Sequence, residues 1–306
     1  MASIQETLPI RPSGAASARA RRRAWRAGLQ GSEFAWALAF IVPYVAIFLA
    51  FVIYPILYGL WLGSDPALYR ELVDDPIYLS TVTNTLLYVG IGVNLKMLLA
   101  FLLSGFFMRK GWWVKALLVI YILPWAIPSL PAFTSIHWML NGNWGFLNSL
   151  LYELFNVDGP SWLNDRGIGM TSNIAAYTWK NMPFWTVIFL AGRMAIPREL
   201  YEAAEVDGAS ALHRFTHITI PLMANLYLVS TLLSTIWSLG EFNAVFFVTG
   251  GGPGMTTEVL ATLGIRHAFI MGEPRLGVAA VMSALPVLIP IVLVLMHKLR
   301  RAEVQL

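Results

Sequence analysis

The chain has 306 residues, of which 57% are hydrophobic and only 12% charged, with a mean hydropathy of +0.63 and a net charge of +4. A soluble domain is about a quarter charged, so this chain cannot cover a water-facing surface and reads as a polytopic membrane protein. It contains no Cys, which excludes disulfides, thiolate metal sites and Cys nucleophiles.

In chain order, residues 1–33 are expected to form a basic, flexible cytoplasmic arm carrying Arg11, Arg19, Arg21, Arg22, Arg23 and Arg26. Its Arg, Ala and Ser content superficially suits an organellar transit peptide, but the same arginines serve the positive-inside rule. A bilayer core needs about 20 predominantly apolar residues per helix, and six stretches qualify. They run over Phe34–Leu62, Val82–Met108, Val114–Leu140, Thr171–Met194, Leu222–Leu239 and Leu276–Met296. The third contains Pro124, Pro128 and Pro131, so it should be kinked or partly unwound, which membranes tolerate only inside a bundle or beside a cavity.

Lys and Arg placement sets the orientation. Arg109, Lys110 and Lys115 follow the second span, Arg193, Arg198 and Arg214 surround the loop after the fourth, and Lys298, Arg300 and Arg301 end the chain. The loop after the first span holds Asp65, Glu71, Asp74 and Asp75 against Arg70, and that after the third holds Glu153, Asp158 and Asp165 against Arg166. Six spans with both termini cytoplasmic satisfy this alternation.

The loop between the fourth and fifth spans reads "EAAEVDGASALHRFTHITIP" from Glu202 to Pro221. Pro197 suits the first position of a helix, and "RELYEAAEV" is rich in helix formers. Asp207-Gly208 is a turn signal, Ser210 can cap a second short helix, and Pro221 marks the start of the fifth span. The product is a helix-turn-helix elbow with a small-residue face at Ala203 and Ala204, open to close approach by another backbone. An ordinary amphipathic interfacial loop would carry the same features.

The spacing of Glu202, Ala203, Ala204, Gly208, Ile218, Ile220 and Pro221 resembles the EAA loop of permease subunits in bacterial binding-protein-dependent ABC importers. Ile220 stands where that pattern has Leu, a volume-conserving exchange. "VDGAS", "NTLLYV", "LPWAIPSLPA", "GFLN" and "FFVTGGGPGMTTEVL" are similar to the sugar-type permeases related to the maltose transporter, from the first span to the last. The resemblance implies an all-α, six-helix type I importer permease fold. It divides the chain into an arm (1–33), a permease domain (34–298, with the coupling loop at 197–221) and a short cytoplasmic tail (299–306). It also implies that Glu202, Ala203, Ala204, Asp207, Gly208, Ile218 and Pro221 dock on an ATP-hydrolysing subunit, with Glu202 bonded to a basic group there.

The partners implied are a second homologous permease, two ATP-binding subunits, an extracytoplasmic solute-binding protein, membrane lipid and a small carbohydrate, and no nucleic acid. The chain is then a non-catalytic permease that binds no cofactor, ATP and Mg being used by the partner ATPase. No GxxxxGK[ST] loop is present in the sequence; "TGGGPG" lacks the Lys-Ser/Thr and reads as a flexible turn, which the resemblance faces toward the binding protein.

Tyr177, Lys180, Asn181 and Phe184 fall on one helical face, as do Ser230, Ser234, Ser238 and Glu241. Their offsets resemble those of sugar-contacting positions in maltose-type permeases, which would set Tyr177, Lys180, Asn181, Phe184, Ser234, Ser238 and Glu241 around a central cavity. Ser is also common helix-packing glue, and Lys180 and Glu241 would equally snorkel or pair together. Lys180 in a cavity would favour an anionic sugar, such as a sulfonate or phosphate, and Glu241 argues against that. Lys96 is expected to snorkel or pair within the bundle, and His137 is a candidate polar contact. The alternative cargo is a polyol, a glycerophospho-compound or an anionic sugar derivative. A self-contained ion-coupled transporter would predict internal repeats or buried coupling carboxylates, and neither stands out. A membrane enzyme would need a nucleophile–base or metal constellation, and none is visible.

Overall fold

The computed structural model describes residues 32–303, with side chains over 34–298. Most of the predicted basic arm and the last three residues of the predicted tail lie outside the described residues. All regular elements among the described residues are helices.

The chain divides into two compact units, residues 1–61 and 62–306. The first is a single span, α1 (Ser32–Phe48) continuing through a π-helical turn (Leu49–Ile53) into α2 (Tyr54–Leu62). Together Phe34–Leu62 make 29 apolar residues, as predicted. The wide turn ends two residues before Pro55, where a proline removes one backbone donor and crowds the preceding turn.

The second unit is the bundle. It opens with α3 (Pro66–Asp74), capped by the Asp65 carboxylate, which accepts the Ala67 N–H at 2.9 Å. Two long helices form its centre, α4 (Tyr78–Phe107) and α8 (Arg166–Met194). Around them stand α5 (Trp112–Ala126), α6 (Ser129–Met139), α7 (Phe146–Phe155), α9 (Arg198–Val206), α10 (Ala211–Arg214) and α11 (Ile220–Leu239). The rest are α12 (Asn243–Val248), α13 (Leu260–Ile265), α14 (Pro274–Met282) and α15 (Leu285–Glu303). Tyr88, Val93 and Met97 of α4 pack with Ile174, Tyr177 and Phe189 of α8 in one buried core. A smaller core joins Leu72 of α3, Leu263 of α13 and Leu276 of α14.

Four segments among the described residues are long and apolar enough to span a membrane, or five with the bent pair α5–α6. The fourth predicted span, α8, is not among them because of its polar content. At 29 residues it is about 43 Å long, more than the roughly 30 Å hydrocarbon core. Its Asn173, Thr178, Lys180 and Thr186 are buried, so neighbouring helices rather than lipid solvate it. Hydropathy under-reads such a central helix because it scores a helix as if it faced lipid.

The third predicted span is broken rather than kinked: α5 and α6 meet at 96°. Pro128 disfavours the helical conformation at the residue before it, and Ile127 is extended, with φ −71° and ψ 134°. The fifth span also differs from expectation. Instead of starting afresh near Pro221, it runs unbroken from Ala211 to Leu239 through a π-helical turn at Phe215–Thr219, again just ahead of a proline. The sixth predicted span, from α14 into α15, stays helical to Glu303, five residues into the predicted tail.

Gly264 of α13 and Gly277 of α14 let two backbones cross. A Cβ on Gly277 would lie 2.5 Å from the Gly264 carbonyl oxygen and 2.8 Å from the Ala268 Cβ. Gly277→Val is expected to lower the melting midpoint of the detergent-solubilised protein, at an overpacking cost of at least about 1–3 kcal/mol. A midpoint equal to wild type would refute the close crossing.

Candidate functional site

The elbow is built by its turn. Helix α9 ends at Asp207, and Gly208 follows with φ +77°. The Ala209 N–H reaches the Ala204 carbonyl at 2.9 Å and the Gly208 N–H reaches that of Glu205 at 3.0 Å. These two bonds are the Schellman closure, which places a residue of left-handed conformation just past the helix end. The interval from Glu202 to Gly208 is thus one and a half helical turns closed by the one residue without a Cβ penalty there. Ser210 caps the next helix, accepting the His213 N–H at 3.2 Å, as predicted. Pro197 sits one position earlier than expected, flanking α9 rather than opening it.

Side chains brace the angle. Arg214 pairs with Glu205 at 2.9 Å, and Tyr201 and Thr219 share a hydrogen bond of 2.9 Å between α9 and the π-helical turn. Because α10 flows into α11 without a break, one arm of the elbow is an extension of the fifth span. Glu202 is exposed, and its carboxylate makes no hydrogen bond or ion pair among the described residues. Val206 and Leu212 are exposed by 88% and 72%, two apolar side chains standing out from a polar loop. A concavity of about 530 Å³ opens beside them, lined by Ala204, Asp207, Gly208, Ser210 and Ile218 among others. Pro221 lies ten residues into the continuous helix that starts at Ala211 and does not line this concavity.

Arg193, which the sequence marks only as an orientation signal, ties the elbow to the bundle. Its Nε donates to Ser104 Oγ at 2.7 Å and its Nη2 to the Phe101 carbonyl at 3.0 Å. The guanidinium also lies 4.5 Å from the Phe101 ring and 5.5 Å from that of Phe215 in the π-helical turn. Its place one turn before the helix break at Pro197 is a local signal that the charge count did not use.

The predicted substrate residues divide into three groups. Tyr177 and Ser238 meet in a buried chain: Lys96 Nζ donates to Tyr177 Oη at 2.8 Å, and Tyr177 and Ser238 share a bond of 2.5 Å. Ser238 Oγ donates on to the Ser234 carbonyl at 2.7 Å. This joins α4, α8 and α11, and Tyr177, Ser234 and Ser238 are buried between helices rather than lining an open cavity. Lys180 goes elsewhere. Its Nζ donates to the carbonyls of Ile127 at 2.5 Å and Pro124 at 3.3 Å, so it supplies donors that the helix end at the break would otherwise lack. The cation also suits the negative end of the α5 dipole. Lys180 therefore does not pair with Glu241, whose Oε1 accepts the Ala244 N–H at 3.0 Å and caps α12.

Asn181 and Phe184 are half-buried at the bundle edge. Asn181 Nδ2 donates to the Tyr177 carbonyl at 3.0 Å. Phe184 stacks on Trp125 with centroids 5.5 Å apart and touches Trp237 at 5.7 Å. Trp125 and Trp237 are each about half exposed and were missed in sequence, because Trp237 lies about 100° off the Ser face and Trp125 sits at a helix break with no periodicity. Tyr177→Phe should leave the nearly inaccessible Lys96 ammonium without its acceptor. The expected cost is about 1.5–3 kcal/mol, read as a lower unfolding midpoint in detergent; an unchanged midpoint would show that the bond contributes nothing.

The described residues thus form a polytopic helical bundle with a braced elbow between its fourth and fifth spans, the architecture of a membrane permease. Residues 96–301 match the family described as binding-protein-dependent transport system inner membrane component, and the chain belongs to that family. Among curated relatives, it is 30% identical over 258 residues to the trehalose/maltose transport system permease protein of Thermococcus litoralis, covering 78% of this chain and 85% of that one. It is 34% identical over 196 residues to the sulfoquinovosyl glycerol transport system permease protein of Agrobacterium fabrum, covering 63% and 62%. It is 28% identical over 234 residues to the diacetylchitobiose uptake system permease protein of Streptomyces coelicolor, covering 75% and 70%. Its fold matches a chain of a bacterial ABC transporter involved in the import of the acidic polysaccharide alginate, with a TM-score of 0.76 and 23% identity over 91% of this chain and 99% of that one.

Proposed function

We propose that this chain forms half of the pathway of an ATP-driven carbohydrate importer and takes its motion from an ATPase docked on the elbow. The observation that carries the reading is the Schellman-closed turn at Gly208 joined without a break to the fifth span. A surface so braced transmits displacement instead of absorbing it. Glu202, Val206 and Leu212 would enter the ATPase, one as a charge-assisted acceptor and two as apolar contacts. ATP and Mg would be held by two ATP-binding subunits. A second, homologous permease would close the pathway, and an extracytoplasmic solute-binding protein would deliver the cargo.

Within the bundle, the Lys96–Tyr177–Ser238 chain would keep α4, α8 and α11 moving as one body, the rocking expected of alternating access. Asn181, Phe184, Trp125 and Trp237 would face the second permease across the pathway, where aromatic faces suit sugar rings and an amide suits hydroxyls. Tyr177, Ser234, Ser238 and Glu241 would stand behind them. The relatives named for trehalose, maltose and diacetylchitobiose support a sugar. Lys180, committed to backbone carbonyls, offers no support for an anionic one, whereas the relative named for sulfoquinovosyl glycerol supports that alternative.

The test is reconstitution of the chain with its co-purifying subunits in proteoliposomes. ATP-dependent uptake of maltose, trehalose or diacetylchitobiose in the presence of the solute-binding protein is expected. Accumulation by the chain alone under an ion gradient, without ATP, would overturn the reading.

A further inference from the structure

At the end of the bundle opposite the elbow, the loop after α6, the segment before α8 and the turn after α12 enclose a cleft of about 320 Å³. That volume is at the lower end of small-molecule sites. Its lining includes His137, Asn141, Asn143, Ser161, Asn164 and Thr249, and holds no Asp, Glu, Lys or Arg.

Part of this lining maintains the fold. Asn141 Oδ1 accepts the Asn143 and Trp144 N–H groups at 3.1 and 3.4 Å, and Asn148 bridges to the Gly142 carbonyl at 3.0 Å and to Trp162 Nε1 at 2.6 Å. His137 Nδ1 donates to the Val248 carbonyl at 2.7 Å, which leaves Nε2 without a hydrogen bond within the described residues. The side-chain amides of Asn143 and Asn164 and the Ser161 hydroxyl have no bond within the described residues. Behind the wall, the fully buried Asn173 donates to Thr249 Oγ1 at 3.0 Å, and its own Oδ1 has no partner. Along the chain from His137, Trp138 and Trp144 form an aromatic pair at 4.6 Å, each 54% exposed.

We infer that this cleft is an extracytoplasmic sugar-accepting site, which holds a terminal sugar residue before it enters the bundle. The chemistry is specific in kind. Uncommitted neutral donors and acceptors match hydroxyls, which both give and take hydrogen bonds, and the absence of charge in the lining gives an ion no counter-charge. Exposed indoles offer flat apolar faces for sugar C–H surfaces. The inference rests on the carbohydrate reading above.

The chain's lack of Cys makes the test direct. Gly142 lines the cleft and a Cβ there meets nothing within 4 Å, so Gly142→Cys places one thiol at the site. In proteoliposomes of the assembled importer, without the solute-binding protein, its modification by a membrane-impermeant maleimide is followed with maltose, trehalose or diacetylchitobiose. Glycine betaine serves as the osmotic control. A transported sugar is expected to slow labelling, and adding Asn164→Ala should raise the half-protecting concentration about three- to tenfold, as loss of one or two hydrogen bonds does.

A transported sugar that gives no protection, or protection unchanged by Asn164→Ala, overturns this inference alone. Protection by sugar-free binding protein and not by sugar also overturns it, assigning the cleft to a protein loop. If wild type takes up none of the three sugars, both readings fall.

Discussion

Glu202→Lys is expected to abolish ATP-driven uptake while leaving the chain in the membrane at its normal level. The carboxylate is exposed and unbonded within the described residues, so its removal costs the bundle little. A Lys there would set a cation against the basic group that we propose as its partner. Gly208→Asp should act at the same surface. Its φ of +77° makes any side chain strained by about 1–2 kcal/mol, too little to unfold the chain by itself. The new side chain would point into open space on the face that we propose is covered by the ATPase. Gly208→Ala separates the two causes, since it carries the strain without the charge and should retain partial uptake. Membrane level by immunoblot and uptake in the same vesicles are the measurements. Wild-type uptake by both Glu202→Lys and Gly208→Asp would sink the docking reading.

Arg193→Ala is expected to uncouple the transporter: ATP hydrolysis by the assembled complex continues while uptake falls about tenfold or more. The guanidinium links Ser104 and Phe101 of α4 to Phe215 at the root of the fifth span. Its charge-assisted bonds contribute about 1.5–3 kcal/mol each, and a bias of that size shifts a two-state element by about tenfold or more. Lys at this position would restore charge but not the forked geometry, so Arg193→Lys should recover only part of the uptake. Coupled transport at the wild-type ratio of sugar to ATP in Arg193→Ala would remove Arg193 from the transmission path.

The elbow was legible because its signals are local. Helix formers, a turn dipeptide and a Ser cap act within a few residues, and each acts as expected apart from the one-residue displacement of Pro197. The start of the fifth span was misplaced because Pro221 was read as a boundary; a π-helical turn accommodates that proline, as another does ahead of Pro55, so the proline marks the turn and not the end of a helix. The same locality explains why Pro128 was a good sign of trouble in the third span but a poor measure of it. The angle of 96° depends on a lysine 52 positions later that satisfies the exposed carbonyls.

Helical periodicity placed Tyr177 and Lys180 on one face, and neighbouring helices then sent them to different partners. Tyr177 turned inward to Lys96 and Ser238, while Lys180 was claimed by the broken helix. Trp125 and Trp237 joined Phe184 through contacts 59 and 53 positions apart, beyond the reach of any pattern along one helix.

Composition and charge order alone make this chain a multi-span membrane protein, and the spaced elbow residues make its loop a folded joint. Hydrophobicity and turn geometry are properties of short segments and need no partner to be read. Which polar side chains stay uncommitted, and so remain available to a cargo, emerged only when α4, α8 and α11 packed together. In a medium without water every buried donor and acceptor must find a protein partner, so each role depends on what the neighbouring helices had left unpaired.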